Sequence, residues 1–205
     1  MTWRALFGWG PPRATRQPVV LLTDRLCLRA PMLDDQRAWA ALREASREFL
    51  QPWEPRWPKD HLSRGAFKRR IRWVAAEASA ERAFSFLIFN RHEHALIGGI
   101  TVSNIRRGPS RSASLGYWVG EAHARQGYMR DAVERVAEFA FETLNLVRLE
   151  AACLENNAAS RALLERCGFT VEGIVRGYLE VNGTVRDHVL YARLAEDPKP
   201  QGAVE

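Results

Sequence analysis

Apolar residues recur along this chain at two spacings, one typical of strands and one typical of helices. Three strands are predicted in the middle of the chain, at 83–90, 95–103 and 113–119, with polar turn segments between them. A longer apolar run over 19–30 predicts one strand that ends at Pro31. Two last strands flank Asn182 and Gly183, a pair that favours a tight hairpin turn.

The apolar spacing changes to three and four residues in two predicted helices before the middle strands. The first is capped by Asp34 or Asp35 and runs through Leu50. Its apolar face has four members, Ala38, Leu42, Ala45 and Phe49. The second helix repeats the spacing in Phe67, Ile71, Val74 and Ala78. Residues 52–58, which we call the elbow, separate the two helices, because three prolines there break helix continuation.

Helices and strands alternate in the last part of the chain. A strongly amphipathic pattern predicts a helix over 131–144, and a strand follows over 148–154. Asn157 can cap a short helix that ends at Gly168, because glycine readily takes the left-handed conformation. This order of elements predicts an α+β fold with a mixed, largely antiparallel sheet of about seven strands and about four helices.

The composition is that of one folded domain. With 205 residues, 46% of them hydrophobic, the chain can bury a full core but is short for two domains. We expect an arm at 1–18, a domain at 19–197 and a tail at 198–205. No apolar run reaches the roughly 18 residues of a membrane span, and the arm lacks the apolar core of a secretory signal. The expected compartment is therefore the cytoplasm.

The net charge and the spacing of the cysteines and histidines limit which ligands the sequence predicts. The net charge of +6 could attract phosphate, RNA or an anionic cofactor, but no RNA-binding motif accompanies it. The three cysteines and five histidines show no metal-ligand spacing. We therefore expect no metal, and the charge alone does not choose among the anionic partners, since no direct nucleic-acid motif is present.

One strand-to-helix junction, at 117–130, has the features of an anion site. Its loop contains Gly127 and leads into the amphipathic helix. A helix N-terminus presents unpaired N–H groups and the positive end of its dipole, and a glycine lets the backbone approach an anion closely. Arg125 and Arg130 could add positive charge. A single glycine before a helix is also a common turn, so the junction alone does not identify a ligand.

Motifs on both sides of this junction resemble the GNAT superfamily of N-acetyltransferases. The junction occupies the place of that family's pyrophosphate loop, and the segments 156–161 and 166–169 resemble its second motif. Other motifs resemble those of the branch that contains the ribosomal-protein alanine N-acetyltransferases. They lie at 22–29, at 49–55 and at Glu172, Gly173, Asn182, Gly183 and Asp187. Together these motifs cover about residues 21–194.

The resemblance implies a GNAT fold with a splayed cleft that binds acetyl-CoA as cosubstrate. Eleven residues are implied to bind it, Tyr117, Trp118, Val119, Arg125, Gln126, Gly127, Tyr128, Met129, Arg130, Asn157 and Ser160. Two positions depart from the family's loop, because Ala124 stands in place of Gln or Arg and Met129 in place of Gly or Ala. Backbone amides bind phosphate whatever the side chain, so the expectation of a phosphate site stands.

The implied reaction is direct attack of a neutral amine on a thioester, which requires a base for the ammonium and an acid for the departing sulfur. Glu150, on the strand that flanks the cleft, is the expected base. The expected acids are Ser160 and Tyr178. Trp53 and Trp57 of the elbow are expected to wall the acceptor groove. Each of these residues also has a plain structural alternative, as a solvent-facing or packing side chain.

The acceptor implied by the resemblance is a primary amine, foremost the N-terminal α-amine of a protein such as a ribosomal protein. Two alternatives stay open. The same scaffold could acetylate a small amine such as an amino acid, a polyamine or a drug, or the chain could be a non-catalytic module that binds acyl-CoA.

Overall fold

A single eight-stranded sheet organises the computed structural model, which describes residues 19–198. Its strands are β1 (Val20–Leu22), β2 (Leu26–Arg29), β3 (Phe84–Asn90), β4 (Leu96–Arg106), β5 (Ser112–Val119), β6 (Arg148–Cys153), β7 (Thr170–Val181) and β8 (Thr184–Leu194). Across the sheet they follow the order β1-β2-β3-β4-β5-β6-β8-β7. Residues 1–18, the expected arm, and residues 199–205 of the expected tail lie outside the described residues.

The same residues contain five α-helices, which cover both faces of the sheet. They are α1 (Gln36–Ala45), α2 (Arg47–Leu50), α3 (Arg64–Ser79), α4 (Tyr128–Glu138) and α5 (Ala158–Arg166). Trp39 of α1 and Phe67 of α3 pack on one face against Leu87 and Leu96. The larger core lies on the other face, under α4 and α5. Within residues 19–198, no helix combines the length and the apolar character that crossing a membrane requires.

The predicted first strand, 19–30, is two strands in the structure. β1 and β2 form an antiparallel hairpin in which Leu22 pairs with Cys27. The Thr23 hydroxyl accepts a hydrogen bond from the Leu26 N–H at 3.0 Å and stabilises the turn. The polar residues Thr23, Asp24 and Arg25 therefore interrupt the strand, which raises the strand number from about seven to eight.

The predicted first helix breaks at Ser46, and a different face is buried. α1 ends at Ala45 and the single turn α2 follows. Ser46 is buried, and its hydroxyl accepts a hydrogen bond from the Glu121 N–H at 2.9 Å. Trp39 and Arg43 face inward, whereas Ala38 is exposed. The apolar pattern missed this face because two of its buried residues, Arg43 and Ser46, are polar.

The later helices agree more closely with the sequence. Phe67 and Val74 of α3 are buried as predicted. α4 begins three residues before its predicted start and continues into a π-helical turn at Phe139–Thr143. Asn157 caps α5, and the φ of Gly168, 75°, is the left-handed value predicted for the end of that helix.

β5 and β6 form the one parallel pair in the described sheet, and they separate soon after they meet. Their register covers three residue pairs, from Ser112 with Arg148 to Ser114 with Glu150. Beyond these pairs β5 continues to Val119 and stays bonded to β4 on its other side. The edge of β5 that faces β6 is therefore without a strand partner over 115–119. We call the opening between the two strands the splay.

Candidate active site

The loop from β5 to α4 ends in a helix N-terminus without a side-chain cap. Gly127 is the N-cap residue, and its φ of 81° is a left-handed value that favours glycine. Arg125, two residues earlier, also has a positive φ, 62°. The first N–H groups of a helix have no partner within it, and Gly127 offers no side chain to them. This backbone suits the pyrophosphate position that the sequence predicts.

Arg25, in the turn between β1 and β2, holds this loop against the body of the protein. Its Nε donates to the Asp131 carboxylate at 2.9 Å, and its Nη1 donates to the Gln126 carbonyl oxygen at 3.2 Å. The guanidinium carbon also lies 4.9 Å from the centre of the Tyr128 ring. Sequence reasoning missed this role because the partners are more than 100 positions away along the chain.

Of two further predicted cofactor residues, one is buried and the other is hydrogen-bonded within its own loop. Met129 is 8% exposed and packs in the core beneath α4. Gln126 donates from its side-chain amide to the Ala122 carbonyl oxygen at 2.8 Å. The departure from the family pattern at Met129 therefore leaves the helix N-terminus open, because the larger side chain is buried.

Tyr117 and Ser160 join the two sides of the splay. Their hydroxyl oxygens lie 2.7 Å apart, and either group can donate the hydrogen bond. Burial raises the pKa of Tyr117 above its usual range, so the phenol stays protonated at neutral pH. The Ser160 N–H donates to the Asn157 side-chain oxygen at 3.1 Å, which is the predicted N-cap. Tyr117, Asn157 and Ser160 thus form one hydrogen-bonded group.

Glu150 lies on the opposite face of the sheet, at the point where the splay opens. Leu149 and Ala151 face the core under α4 and α5, so the alternation of a strand turns Glu150 toward α1 and α3. Its carboxylate accepts hydrogen bonds from Arg148 Nε at 2.9 Å and from Arg106 Nη2 at 2.5 Å. The two arginines fix the carboxylate, and each oxygen retains a further lone pair.

Tyr178 lies on the same face as Glu150. Its ring packs nearly edge-on against His188, with ring centres 5.8 Å apart. His188 alternates along β8 with Val189 and Tyr191, and Tyr191 bonds to Glu165 of α5. The structure therefore places Tyr178 and Ser160, the two predicted acids, on opposite faces of the sheet.

The two tryptophans of the elbow have different surroundings. Trp57 lines a cavity of about 320 Å³ beside α1, α3 and the end of β5. Its Nε1 donates to Glu54 at 2.8 Å, and its ring stacks on His61 with centres 4.6 Å apart. Trp53 is 37% exposed at the surface of the elbow. The Asn182 N–H donates to the Glu54 carbonyl oxygen at 2.9 Å, which ties the elbow to the β7–β8 turn.

The chain is similar to known proteins over most of its length. Residues 25–170 match the model of a family described as the acetyltransferase (GNAT) domain. The chain belongs to the GNAT acetyltransferase family. The predicted family and fold are thereby confirmed.

Ribosomal-protein acetyltransferases are among its GNAT relatives. The ribosomal protein uS5-alanine N-acetyltransferase of Escherichia coli (strain K12) is 32% identical over 197 residues, which are 95% of this chain and 99% of that protein. The structure of ribosomal-protein-S5-alanine acetyltransferase from Vibrio fischeri has a TM-score of 0.80 at 30% identity, covering 89% of this chain and 100% of that one. The structure of Mycobacterium smegmatis RimJ in complex with CoA-disulfide has a TM-score of 0.79 at 32% identity, covering 88% of this chain and 87% of that one.

As a GNAT acetyltransferase, the protein transfers the acetyl group of acetyl-CoA to an amine, as predicted. Acetyl-CoA supplies the acetyl thioester. The residues present fit this cosubstrate, because the N-terminus of α4 offers uncapped backbone N–H groups and β5 offers an unpaired edge over 115–119. The contacts of individual cofactor residues stay predictions. Within the described part of the chain, no three His, Cys, Asp or Glu side chains are grouped so as to hold a metal ion.

The GNAT site divides its candidate residues between the two faces of the sheet. The uncapped helix N-terminus lies with Tyr117 and Ser160 on the α4–α5 face. Glu150 and Trp57 lie on the α1–α3 face. The splay connects the two faces, so an amine on one side and a leaving sulfur on the other can meet there.

Asn157→Ala is expected to reduce both stability and cosubstrate use. Loss of the N-cap costs about 1 kcal/mol of unfolding free energy, and we expect the Michaelis constant for acetyl-CoA to rise because Asn157 is predicted to contact the cofactor arm. Denaturant unfolding and steady-state kinetics measure the two effects. The matched control is Ser63→Ala, which removes the cap of α3, where the Ser63 hydroxyl accepts from the Ala66 N–H at 3.1 Å. Equal Michaelis constants in both variants would leave Asn157 a structural role only.

Proposed function

We propose that this GNAT enzyme acetylates the N-terminal α-amine of a protein, with a ribosomal protein as the foremost substrate. The observation that carries this proposal is the 32% identity to a ribosomal-protein alanine N-acetyltransferase over 95% of this chain and 99% of that one. A match of such extent includes the acceptor side of the fold as well as the cosubstrate loop. The predicted cytoplasmic location belongs to the same proposal.

The shape of the α1–α3 face supports a peptide acceptor. The elbow and the β7–β8 turn stand on this face and are joined through Glu54 and Asn182. Three prolines stiffen the elbow, which limits the conformational entropy that it would lose on binding a chain. A peptide lying along this face would direct its first residue to the splay and its remaining residues outward.

The proposed acid and base roles follow from the face of the sheet on which each residue lies. Glu150 would take the proton of the incoming ammonium, directly or through a water molecule, because it lies on the acceptor face where the splay opens. Ser160 would give a proton to the departing sulfur, because it lies on the cosubstrate face beside Tyr117. The C–N bond forms as the C–S bond breaks, and the nitrogen loses two protons in all. Glu150 takes the first and passes it to solvent, and the second, which leaves the nitrogen after attack, replaces the proton that Ser160 gives to the sulfur.

Peptide competition tests the acceptor. Two peptides of one sequence, one with a free small first residue and one blocked at its N-terminus, are supplied together, each with an internal lysine. We expect the free peptide to be acetylated at its α-nitrogen at least about tenfold faster, a difference of about 1.4 kcal/mol in transition-state free energy. Mass-spectrometric fragmentation locates the modified nitrogen. Efficient lysine acetylation of the blocked peptide, or a preference for free amino acids over peptides, would refute the proposal and favour a small-amine acceptor.

A further inference from the structure

The cavity beside the elbow carries more positive than negative charge. Its charged lining residues are three arginines and one glutamate, Arg43, Arg56, Arg70 and Glu54. Three tryptophan rings complete much of the wall, those of Trp39, Trp57 and Trp118. Trp118 follows Tyr117 on β5, so the cavity adjoins the splay from the acceptor face.

The carboxylate of Glu54 is already satisfied within the protein. The two terminal nitrogens of Arg43 donate to its two oxygens at 2.7 and 2.5 Å. Trp57 adds a third hydrogen bond. Arg43 is 5% exposed, and its guanidinium carbon lies 4.8 Å from the centre of the Trp118 ring. This ion pair is a fixed part of the wall, and within residues 19–198 the other two arginines of the cavity, Arg56 and Arg70, form no salt bridge.

Arg70 is a partly buried arginine of this cavity, and its positive charge is not paired with a carboxylate among residues 19–198. Among residues 19–198, no carboxylate lies within 4 Å of its guanidinium group and no side chain hydrogen-bonds to it. Burial and the nearby Arg43 lower its pKa. His61 adds no positive charge at pH 7, since burial and Arg43 lower its pKa to about 4 and keep the ring neutral. A partly buried cation without a counter-ion is unfavourable, and an anion that entered the cavity would relieve that cost.

We propose that this cavity binds the carboxylate of an acidic side chain in the acceptor, so that the enzyme prefers protein N-termini with Asp or Glu shortly after the first residue. The inference rests on the proposed protein acceptor. A guanidinium group pairs with a carboxylate through two parallel hydrogen bonds, and the indole walls of the cavity limit competition from water. Positions two to four of an extended peptide lie roughly 3–11 Å beyond the first residue, which suits a cavity next to the splay.

Paired peptides test this preference. Each pair has a free N-terminal alanine and differs in one residue, Glu or Gln, at position two, three or four. At the best position we expect kcat/KM to be about tenfold higher for the Glu peptide, the size of one good hydrogen-bonded charge pair. In Arg70→Gln the Glu-to-Gln ratio should fall to about one, while Arg70→Lys, which keeps the charge, should restore part of it.

The matched control is Arg72→Gln. Arg72 lies on the same helix but is exposed and outside the cavity. The variant should keep the wild-type Glu-to-Gln ratio. Thermal unfolding of each variant shows that the compared proteins are folded. Salt should reduce the wild-type ratio, because the proposed contact is ionic.

Three results would overturn the inference in distinguishable ways. Equal use of Glu and Gln peptides at every position would refute the acidic preference while leaving N-terminal acetylation intact. A ratio that survives in Arg70→Gln would place the recognition elsewhere. Failure to acetylate any free peptide, or better use of free glutamate than of the Glu peptide, would refute the protein acceptor itself.

Discussion

Gly127→Val is expected to weaken acetyl-CoA binding by at least about tenfold, or about 1.4 kcal/mol. The backbone of Gly127 is left-handed, and a β-branched residue is strained there. An added Cβ would also lie 3.1 Å from Nη2 of Arg25, so it would press on the side chain that holds the loop. Both effects displace the N–H groups at the start of α4 from the expected phosphate. Calorimetric titration with CoA measures the loss.

Gly108→Val separates loss of binding from loss of stability. Gly108 has a similar φ of 72°, and a Cβ there would meet nothing within 4 Å. A left-handed residue other than glycine costs roughly 1–2 kcal/mol, so both variants should lower Tm by roughly 2–8 °C. Only Gly127→Val should lose affinity for CoA. A folded Gly127→Val protein with wild-type affinity would show that the pyrophosphate binds elsewhere.

Ser160→Ala is expected to reduce kcat by about 100-fold, the lower range for loss of a positioned acid. The N-cap of α5 should survive, because Asn157 bonds to the Ser160 backbone N–H rather than to its hydroxyl. Because the Ser160 hydroxyl is also predicted to contact acetyl-CoA, a small rise in the Michaelis constant for acetyl-CoA is expected beside the larger fall in kcat. Rates under saturating cosubstrate, compared with single-turnover rates, measure the chemical step.

Two further variants define the role of the Ser160 hydroxyl. Tyr117→Phe keeps that hydroxyl but removes its partner at 2.7 Å, so a smaller fall in kcat is expected. Ser110→Ala breaks a comparable hydroxyl pair with Ser112, 2.8 Å apart, on the turn before β5, and should leave kcat unchanged. If Ser160→Ala kept a wild-type kcat, the sulfur would obtain its proton from another donor.

Local signals in the sequence predicted the elements that bear the cosubstrate loop. The spacing of Phe67 and Val74 identified the buried face of α3, because the two buried residues of that helix are both apolar. The cap at Asn157 and the glycine at 127 were predictable since each satisfies a backbone requirement of its own helix. Such features depend on residues a few positions apart.

Features that depend on distant contacts were not predictable in the same way. Arg43 is charged, and an apolar pattern assigns it to the surface, yet Glu54 and three tryptophan rings enclose it. The three-pair register between β5 and β6 has no local signal, so the splay was implied by resemblance alone. No local pattern predicts that Ser160 and Tyr178 lie on opposite faces of the sheet, since that depends on strand order.

The short pairing of β5 with β6 has a consequence for how fast the protein is degraded. Three residue pairs are the whole in-register contact between the β1–β5 part and the β6–β8 part of the described sheet. A ligand that bridges the two parts binds only when both are in place, and at 100 times its Kd it adds about 2.7 kcal/mol to the free energy of unfolding. Proteases act on transiently opened chains, so the cellular lifetime of this enzyme should follow the supply of acetyl-CoA.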